Sequence, residues 1–432
     1  MIAIGVPAES AEEARIGLSP ETAKKLVKLG GKVRVRSGAG LRSHFSDEEY
    51  KTAGADIVAT DADAVKDADI VLSVRRPSLA LVKSMKQGAM LIAMLDPYSD
   101  AEDLRALAKS GASLFAMELM PRISRAQSMD VLSSQANLAG YKAVVDAASA
   151  FERALPMMMT AAGTVPAARV FVMGVGVAGL QAIATARRLG AIVTATDVRP
   201  AVKEQVASLG AKFIAVEDEE FKQAETAAGY AKEMSKEYQA KQAALVAEHV
   251  KNQDIVITTA LIPGRPAPRL ITTAMVETMK PGSVIVDLAA EAGGNCELTK
   301  PDEIVRHGNV SILGFTDLPS RVAVDASALY ARNLLAFLTP LIDKETKALK
   351  PNWDDEIVKG TLLAKDGKIV HASLAPPAAP AAEPSNSTPT APPEPASAAP
   401  TDPATEAPKR APAADPISDE MTVVPQRRPS AS

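Results

Sequence analysis

The sequence is poor in cysteine, histidine and aromatic residues, and each shortage excludes a class of protein. One cysteine, Cys296, occurs among 432 residues, so no intramolecular disulfide can form. Neither a CxxC nor an HExxH spacing is present, so the sequence predicts no metal site. Aromatic residues make up 3% of the chain and the net charge is −4. That composition offers neither stacking platforms nor a basic surface, so we expect no nucleic-acid partner.

Long apolar runs are missing as well. The longest stretch without a charged residue, Val170–Ala186, is interrupted by glycines and is shorter than the roughly 20 apolar residues of a membrane-spanning helix. The N-terminal segment MIAIGVPAES reads as a β-strand and lacks the basic start of a signal peptide. We therefore expect a cytoplasmic chain with no direct membrane insertion.

What the sequence does contain is an alternation of short apolar strands with amphipathic helices, which is typical of parallel α/β sheets. A long helix, predicted near Ser134–Arg153, separates two such series. We predict two Rossmann-like, doubly wound domains with a nucleotide cleft between them. The first spans residues 1–133 and is completed by about 317–372, and the second spans 134–316. The predicted strands are Ile2–Val6, Lys32–Arg36, Asp69–Val74, Ala89–Leu95, Ser113–Ala116, Arg169–Gly174, Ala191–Thr196, Lys212–Val216, Asp254–Thr259, Ser283–Leu288 and Val310–Gly314.

Three further segments carry structural expectations. The amphipathic stretch Ala323–Leu338 is expected to return as a helix to the first domain. Met157–Met159 are expected in the core near the domain junction, because methionine fills irregular gaps. Residues 373–432 change abruptly to Pro, Ala, Ser, Thr and Glu and hold about half of the 31 prolines. Such a composition cannot bury enough apolar surface, so it predicts a disordered Pro/Ala-rich tail or linker.

A glycine-rich fingerprint is the strongest local motif. Gly174, Gly176 and Gly179 form a GxGxxG spacing, with an apolar strand before it and a helix pattern after it. The first glycine permits the tight turn, the second lets the backbone approach a pyrophosphate, and the third allows close helix–strand packing. Val177 between them offers a backbone contact. The motif predicts a dinucleotide site at a helix N-terminus.

The residues after the second strand of this unit indicate which dinucleotide is bound. Asp197 follows Gly179 by 18 residues, at a position where a carboxylate accepts hydrogen bonds from a ribose diol and repels a 2′-phosphate. Arg199 complicates this, because an arginine there can receive a 2′-phosphate. The position of the aspartate at the strand tip favours NAD(H) over NADP(H).

A polar loop connects the last strand of the first domain to the long helix. It runs from Pro121 to Asn137 and contains charged, amide and hydroxyl side chains. A crossing between domains is where an α/β cleft places reactive groups, and Ser133 or Ser134 is placed to cap the helix. The alternative is a linker whose polar residues only satisfy backbone amides. Asp287 and Glu291 leave a similar choice between lining the cleft and capping the structure.

Several motifs together resemble one known family. GVGVAGLQAIATARRLGA, TDVRP, RAQSMDVLSSQANLAGY, TTALIPGRPAP and DLAAEAGGNCELT are similar to segments of the NAD(H)-binding component of proton-translocating NAD(P) transhydrogenase. The resemblance covers roughly residues 1–345. It is greatest to the bacterial form in which this component is a separate soluble α-subunit chain.

The resemblance implies the roles of individual residues. Arg122, Gln127 and Asp130 match the loop around the nicotinamide, with Arg122 and Asp130 expected to form an ion pair. The other matched positions are Ser128, Met129 and Ser133 in or beside that loop, Val177 at the pyrophosphate, Asp197, Val198 and Arg199 at the adenosine ribose, Gly229 and Tyr230 at the tip of a closing loop, and Leu261 at a further cofactor contact.

The resemblance also implies a reaction and partners. The chain is expected to hold NADH and to pass a hydride to NADP⁺ on a β subunit, coupled to proton movement through membrane α2 and β subunits. The family further implies a homodimer and a location on the cytoplasmic face of the bacterial inner membrane. Hydride exchange between two nicotinamides needs positioning rather than a nucleophile or general acid.

Two other functions stay open. An amino-acid dehydrogenase of the alanine dehydrogenase type shares the Pro7-Ala8-Glu9…Arg15 pattern, but it needs a cationic group and an imidazole for its substrate. The places that match those groups are Arg75 and Asp96 here, and an aspartate cannot act as a cationic acid. The four histidines lie elsewhere and are expected to be ordinary surface residues. A non-catalytic NAD-binding subunit is the second alternative.

Overall fold

The computed structural model describes residues 1–99, 101–222, 234–262 and 264–374. These belong to one compact unit, Met1–Ala375. The predicted tail therefore lies almost entirely outside the described residues, and its disorder stays a prediction.

The strands and helices are numbered in chain order. The strands are β1 (Ile2–Val6), β2 (Gly31–Arg36), β3 (Asp56–Val58), β4 (Ile70–Leu72), β5 (Met90–Ala93), β6 (Ser113–Ala116), β7 (Met158–Thr160), β8 (Gly163–Val165), β9 (Arg169–Met173), β10 (Ile192–Thr196), β11 (Lys212–Phe213), β12 (Ile255–Thr258), β13 (Val284–Asp287), β14 (Ile304–His307), β15 (Val310–Leu313), β16 (Leu362–Lys365) and β17 (Lys368–Ile369). The α-helices are α1 (Pro20–Lys28), α2 (Asp47–Thr52), α3 (Asp61–Val65), α4 (Leu79–Lys83), α5 (Ala101–Ala108), α6 (Val131–Ala150), α7 (Val177–Arg188), α8 (Val202–Ser208), α9 (Glu219–Lys222), α10 (Lys236–Val250), α11 (Thr273–Glu277), α12 (Ala323–Leu338) and α13 (Glu356–Thr361).

Two large sheets organise the described residues. The first has the order β17-β16-β6-β5-β4-β1-β2-β3, and the second has the order β11-β10-β9-β12-β13-β15-β14. We call each sheet with its helices the first lobe and the second lobe. In both lobes the parallel strands follow the 3-2-1-4-5-6 order of a dinucleotide-binding fold, and antiparallel strands extend one edge. The predicted α/β fold with two Rossmann-like sheets is confirmed. The division into domains at residue 133 stays a prediction.

Local sequence explains where the helices begin. Ser19 caps α1, and its side chain exchanges hydrogen bonds with Thr22 in a capping box, with Pro20 in the first turn. Ser46 and Glu49 form a second capping box at the start of α2. These residues satisfy backbone N–H groups that have no partner inside the helix.

Some predicted elements differ from the observed ones. The long helix begins at Val131 rather than Ser134, because Asp130 is its N-cap and accepts a hydrogen bond from the backbone N–H of Ser133. The short strands β3 and β14 and the C-terminal strands β16 and β17 were not expected. The placement of Met157–Met159 in the core was wrong: these side chains are 62%, 43% and 78% exposed beside and on the β7–β8 hairpin.

Helix α12 returns to the first lobe, as predicted. Its bounds are those expected from the sequence, and Tyr330, Leu334 and Phe337 pack in one core cluster with Ile92 and Phe115. Among the described residues, no helix has both the length and the apolar character needed to cross a bilayer.

A buried ionic network fastens the first lobe to α6. Arg15 is 3% exposed, and its guanidinium donates two hydrogen bonds to Glu13, at 2.8 and 2.6 Å. A third donor of Arg15 reaches the side-chain oxygen of Gln135 at 2.8 Å. Burial alone would raise the pKa of Glu13, but the hydrogen bonds and the charge of Arg15 outweigh it and lower that pKa to about 2.

We predict that Glu13→Gln destabilises the protein by about 3 kcal/mol at neutral pH, because it leaves the Arg15 charge buried without its counter-ion. The lowered pKa of Glu13 means that its stabilising contribution is present above its ordinary pKa of 4.5 and declines as the pH falls toward 2. Urea unfolding of both proteins measures the difference at neutral pH and its decline below pH 4.5. Glu12→Gln, at an exposed neighbouring position, is the control, and equal stability of the two variants would contradict the network's role.

Candidate functional site

The glycine fingerprint connects β9 to α7, and its three glycines meet different surroundings. Gly174 has a φ of 97°, in the left-handed region that favours glycine. A Cβ on Gly179 would lie 1.9 Å from the carbonyl oxygen of Gly174. A Cβ on Gly176 would meet no atom within 4 Å. The first and third glycines are therefore required by the chain itself, whereas the second one faces open space.

The open space in front of Gly176 lies at the N-terminus of a helix. Gly176 is the N-cap of α7, and within the described residues it has no side-chain capping bond. The first N–H groups of a helix carry partial positive charge and bind anions. Strand β9 is also the central strand at which the order of the second sheet reverses, the place where α/β folds bind ligands. A pyrophosphate fits this position.

Asp197 lies directly beneath the glycine loop. It follows β10, and its carboxylate accepts a hydrogen bond from the backbone N–H of Val175 at 2.7 Å. The guanidinium of Arg199 folds back onto the same carboxylate through two contacts of 3.0 and 2.9 Å, and it also donates to the carbonyl oxygen of Val175 at 3.3 Å. Val198 between them is 38% exposed. The structure thus brings the predicted ribose and phosphate residues together.

A second loop lies against the fingerprint. The Thr259 hydroxyl donates to the carbonyl oxygen of Gly174 at 3.0 Å. The fully buried Asn295 side chain accepts from the N–H of Ala260 and donates to its carbonyl oxygen, at 3.0 and 2.9 Å. Leu261 follows and is 54% exposed. Sequence reasoning missed the roles of Thr259 and Asn295, because no motif marks residues that only hold a loop in place.

The polar interdomain loop ends at the first turn of α6. Residues Ser124–Met129 form a 3₁₀ turn in which Gln127 and Ser128 are exposed and Met129 is buried. The amide of Asn333 on α12 holds the Ser128 carbonyl oxygen at 2.8 Å. The exposed side chains of Gln127 and Ser128 therefore lie on a backbone that is held in place by a hydrogen bond from α12.

Asp130 has a structural task at this turn. Its two carboxylate oxygens accept from the backbone N–H and the hydroxyl of Ser133. The expected ion pair between Arg122 and Asp130 does not occur in the described part of the chain, because the aspartate caps α6 instead. Arg122 lies at the surface.

The two parts of the candidate site are joined by helix packing. Helix α6, which begins at the polar loop, packs against α7, which begins at the glycine loop. Gly229 and Tyr230, the predicted tip of a closing loop, lie outside the described residues.

The first lobe has the same strand order but no comparable cradle among its described residues. At its reversal point, after β1 and β4, the carboxylate of Glu9 accepts hydrogen bonds from the Ser73 hydroxyl and from the N–H groups of Val74 and Arg75. Burial raises the pKa of Glu9 to about 7, although those hydrogen bonds oppose the shift. At this point the first lobe thus carries a buried carboxyl group, and the backbone N–H groups of Val74 and Arg75 are bonded to it rather than facing open space.

The remaining reactive side chains have structural partners. Asp287 is fully buried. Its carboxylate accepts hydrogen bonds from the hydroxyls of Thr258 and Thr299 and from the backbone N–H groups of Ala289 and Cys296, so its role is structural. Glu291 is instead exposed and lies 3.8 Å from the guanidinium of Arg75 on the first lobe. Cys296 is buried, and burial raises the pKa of its thiol.

The sequence predicted four ordinary surface histidines, but the structure shows that they differ in burial and contacts. His44 is exposed, but His249 is half-buried against the Phe171 ring and bonds the Thr194 hydroxyl at 2.9 Å. His307 contacts Glu277, and His371 contacts the carbonyl oxygen of Gly360. Across the described residues, no group of three or more His, Cys, Asp or Glu side chains is arranged to hold a metal ion.

Comparison with known proteins assigns the chain to a family. Residues 5–139 match the N-terminal domain of alanine dehydrogenase/PNT, and residues 143–372 match the C-terminal domain of the same family. The chain belongs to the alanine dehydrogenase/PNT family. A family member from Rhodospirillum rubrum, the first part of NAD(P) transhydrogenase subunit alpha, is 58% identical over 377 residues, which cover 86% of this chain and 98% of that protein.

Solved structures of the family agree with the fold. The crystal structure of a transhydrogenase from Sinorhizobium meliloti superposes with a TM-score of 0.78 at 57% identity, covering 86% of this chain and all of that one. An L-alanine dehydrogenase superposes with a TM-score of 0.72 at 25% identity, covering 86% of this chain and 98% of that one. The resemblance to transhydrogenase alpha subunits that the motifs indicated is confirmed.

The different surroundings of the glycines generate a prediction. Gly176→Ala should lower the free energy of unfolding by no more than about 1 kcal/mol, because its methyl group meets open space and the only loss is that alanine is a poorer N-cap than glycine. It should weaken NADH binding roughly tenfold or more, or about 1.4 kcal/mol. Gly179→Ala should instead destabilise the fold by at least about 1–3 kcal/mol, because its methyl group overlaps the Gly174 carbonyl. Calorimetric unfolding and NADH titration test both variants. Wild-type affinity in Gly176→Ala would contradict the assignment of this loop to the pyrophosphate.

Proposed function

We propose that the chain is the NAD(H)-binding component of a proton-translocating transhydrogenase, and that it passes a hydride from NADH to NADP⁺ held on a partner subunit. The observation that carries this proposal is the open space at Gly176 in front of the α7 N-terminus, with Asp197 beneath it. Together they offer an anion site for a pyrophosphate and a carboxylate for a ribose diol.

The ribose end of the site favours NAD(H). The Asp197 carboxylate stands at the tip of β10, where it accepts from a ribose 2′-hydroxyl and repels a 2′-phosphate. The Nε and Nη2 atoms of Arg199 each donate a hydrogen bond to the Asp197 carboxylate, so the positive charge of Arg199 is engaged in an ion pair with that carboxylate. NADP(H) is accordingly assigned to the partner subunit.

The nicotinamide half of NADH is assigned to the polar loop. Gln127 and Ser128 present exposed polar groups there, and Ser133 and Asp130 complete the turn. Amide and hydroxyl groups of this kind bond a carboxamide and fix the rotation of its ring. The reaction moves one hydride between two nicotinamide rings, so what the chain contributes is orientation and the exclusion of water. Arg122, Met129, Gly229, Tyr230 and Leu261 are assigned to the walls and closure of the same site.

The names of the relatives support the presence of partner subunits. The Rhodospirillum rubrum relative is named as one piece of a transhydrogenase alpha subunit, and a protein named in this way acts in a larger assembly. We assign this chain to a complex with membrane α2 and β subunits, as a homodimer associated peripherally with the cytoplasmic face of the bacterial inner membrane.

An alanine dehydrogenase activity is less consistent with the site. The dehydrogenase would use Arg75 and an imidazole at position 96, where this chain has Asp96. The Nε of Arg75 donates to Glu13 at 3.3 Å and its guanidinium lies 3.8 Å from Glu291, so two carboxylates of the chain already balance its charge. His249, His307 and His371 contact residues elsewhere in the chain, and His44 is exposed.

One experiment separates these functions. The chain is mixed with NADH, NADP⁺ and the NADP(H)-binding domain of a transhydrogenase β subunit, and the assay is repeated with L-alanine and NAD⁺. Hydride exchange that requires the added domain supports the proposal. Alanine-dependent formation of NADH would overturn it in favour of a dehydrogenase, and NADH binding without either reaction would leave a non-catalytic subunit.

The role of Gln127 gives a quantitative prediction. Gln127→Asn shortens the side chain by one methylene and should slow hydride transfer on the order of 10- to 100-fold, because a displacement of about 1 Å is costly for a positioned reaction. NADH affinity should change by about twofold or less, since most of the binding contacts remain. Stopped-flow transfer and NADH titration measure the two effects. Gln205→Asn, on the exposed face of α8, is the control, and a loss of affinity proportional to the loss of rate would count against the role.

A further inference from the structure

Helix α6 is anchored to the first lobe by its N-terminal turns. Gln135 accepts from buried Arg15 at 2.8 Å and donates to the carbonyl oxygen of Ala326 at 3.1 Å. The hydroxyl of Ser134 donates to the side chain of Asn333 at 2.7 Å. The start of α6, with the polar loop that precedes it, therefore moves with the first lobe.

The second half of α6 belongs to the other lobe. Its apolar side chains pack in the core beneath the second sheet together with residues of β9 and α7. They are Ala143, Val144 and Ala147, followed by Phe151 at the C-cap, and their neighbours include Val170, Val172 and Ile183. A continuous helix that is fixed at both ends in this way transmits a displacement of one lobe to the other.

Gly140 lies between these two anchored parts, where α6 meets α7. A Cβ on Gly140 would lie 2.1 Å from the carbonyl oxygen of Ala178 and 2.8 Å from its carbonyl carbon. Ala178 is the second residue of α7 and stands inside the glycine fingerprint. The contact between the helices is thus made next to the loop assigned to the pyrophosphate.

Space, rather than backbone conformation, explains this glycine. Gly140 is in the interior of a helix, where alanine is preferred by about 0.8–1 kcal/mol. Gly140 therefore makes the 20-residue helix α6 less stable than an alanine would. The glycine at this position is explained by the close approach to Ala178, which leaves no room for a Cβ.

We infer that Gly140 is a positioning residue, which sets the distance between the glycine loop and the polar loop that carries Gln127 and Asp130. This inference rests on the proposed function, because it assigns the two halves of NADH to those two loops. An added methyl group needs about 1 Å of separation between the helices, and a displacement of that size at a reacting centre can cost about 100-fold in rate. Asp130 caps the same helix about 15 Å away along its axis, so the shift reaches the polar loop.

Binding of ADP-ribose and binding of NADH test different parts of the chain. ADP-ribose reaches only the fingerprint and Asp197, which both belong to the second lobe. NADH in addition needs the polar loop at the correct distance. Gly140→Ala should therefore leave the affinity for ADP-ribose within about twofold and slow hydride transfer on the order of 10- to 100-fold. NADH affinity should fall by a larger factor than the affinity for ADP-ribose does.

The experiment compares the full-length wild type, Gly140→Ala and Ser149→Thr. The last adds a methyl group at an exposed position of the same helix and serves as the control. Thermal unfolding, titrations with ADP-ribose and NADH, and transfer to NADP⁺ on the partner domain are measured for each. Unchanged transfer in Gly140→Ala, or a parallel loss of ADP-ribose and NADH binding, would overturn the inference.

A second variant tests the same coupling with little strain. Ser134→Ala removes the bond to Asn333 at the first-lobe end of α6, and it should slow transfer several-fold while sparing ADP-ribose binding. If Gly140→Ala does not accumulate as folded protein, unchanged transfer in Ser134→Ala overturns the inference. A wild-type chain that does not bind NADH, or does not transfer hydride with its partner, would instead contradict the proposed function.

Discussion

The close packing of α6 on α7 is the constraint on which the rest of the structure depends. A backbone-to-backbone approach at Gly140 brings the helix that leaves the polar loop against the helix that leaves the glycine loop. The first lobe holds one end of α6 through hydrogen bonds to Gln135 and Ser134, and the second lobe holds the other through its core. Two sheets with separate hydrophobic cores can therefore serve one extended ligand.

The two lobes show how one topology supports different sites. Their parallel strands follow the same order, and each sheet reverses direction at its central strand. In the second lobe this point opens at Gly176 onto helix N–H groups that no side chain in the described part of the chain caps. In the first lobe the side chain of Glu9 instead accepts hydrogen bonds from the backbone after β4. Under the proposed function, the chemistry of a few loop residues, rather than the fold, decides which lobe receives the dinucleotide.

Much of this arrangement was accessible from the sequence because periodicity and glycine spacing are local signals. The central strands, the fingerprint helix and the bounds of α12 were predicted, and Asp197 was placed at the tip of its strand. The start of α6 was misplaced because Asp130, which looked like a site residue, is also its cap. The exposed methionines of the β7–β8 hairpin were assigned to the core because composition alone does not distinguish a buried methionine from an exposed one.

The features that the sequence could not reveal are contacts between distant segments. Asn295 supports the loop at Ala260, and Glu13, Arg15 and Gln135 join separate stretches of the chain. Nothing in the spacing of these residues indicates that they meet. The same is true of Gly140, which reads as an unremarkable helical glycine until its distance from Ala178 is known.

A crystal structure of the chain with bound NADH tests the central claim most directly. We expect the pyrophosphate at the N-terminus of α7 and the dihydronicotinamide beside Gln127 and Asp130, with one ring face left uncovered for a second protein. A ring bound elsewhere, or one whose two faces are both covered by this chain, would contradict the claim.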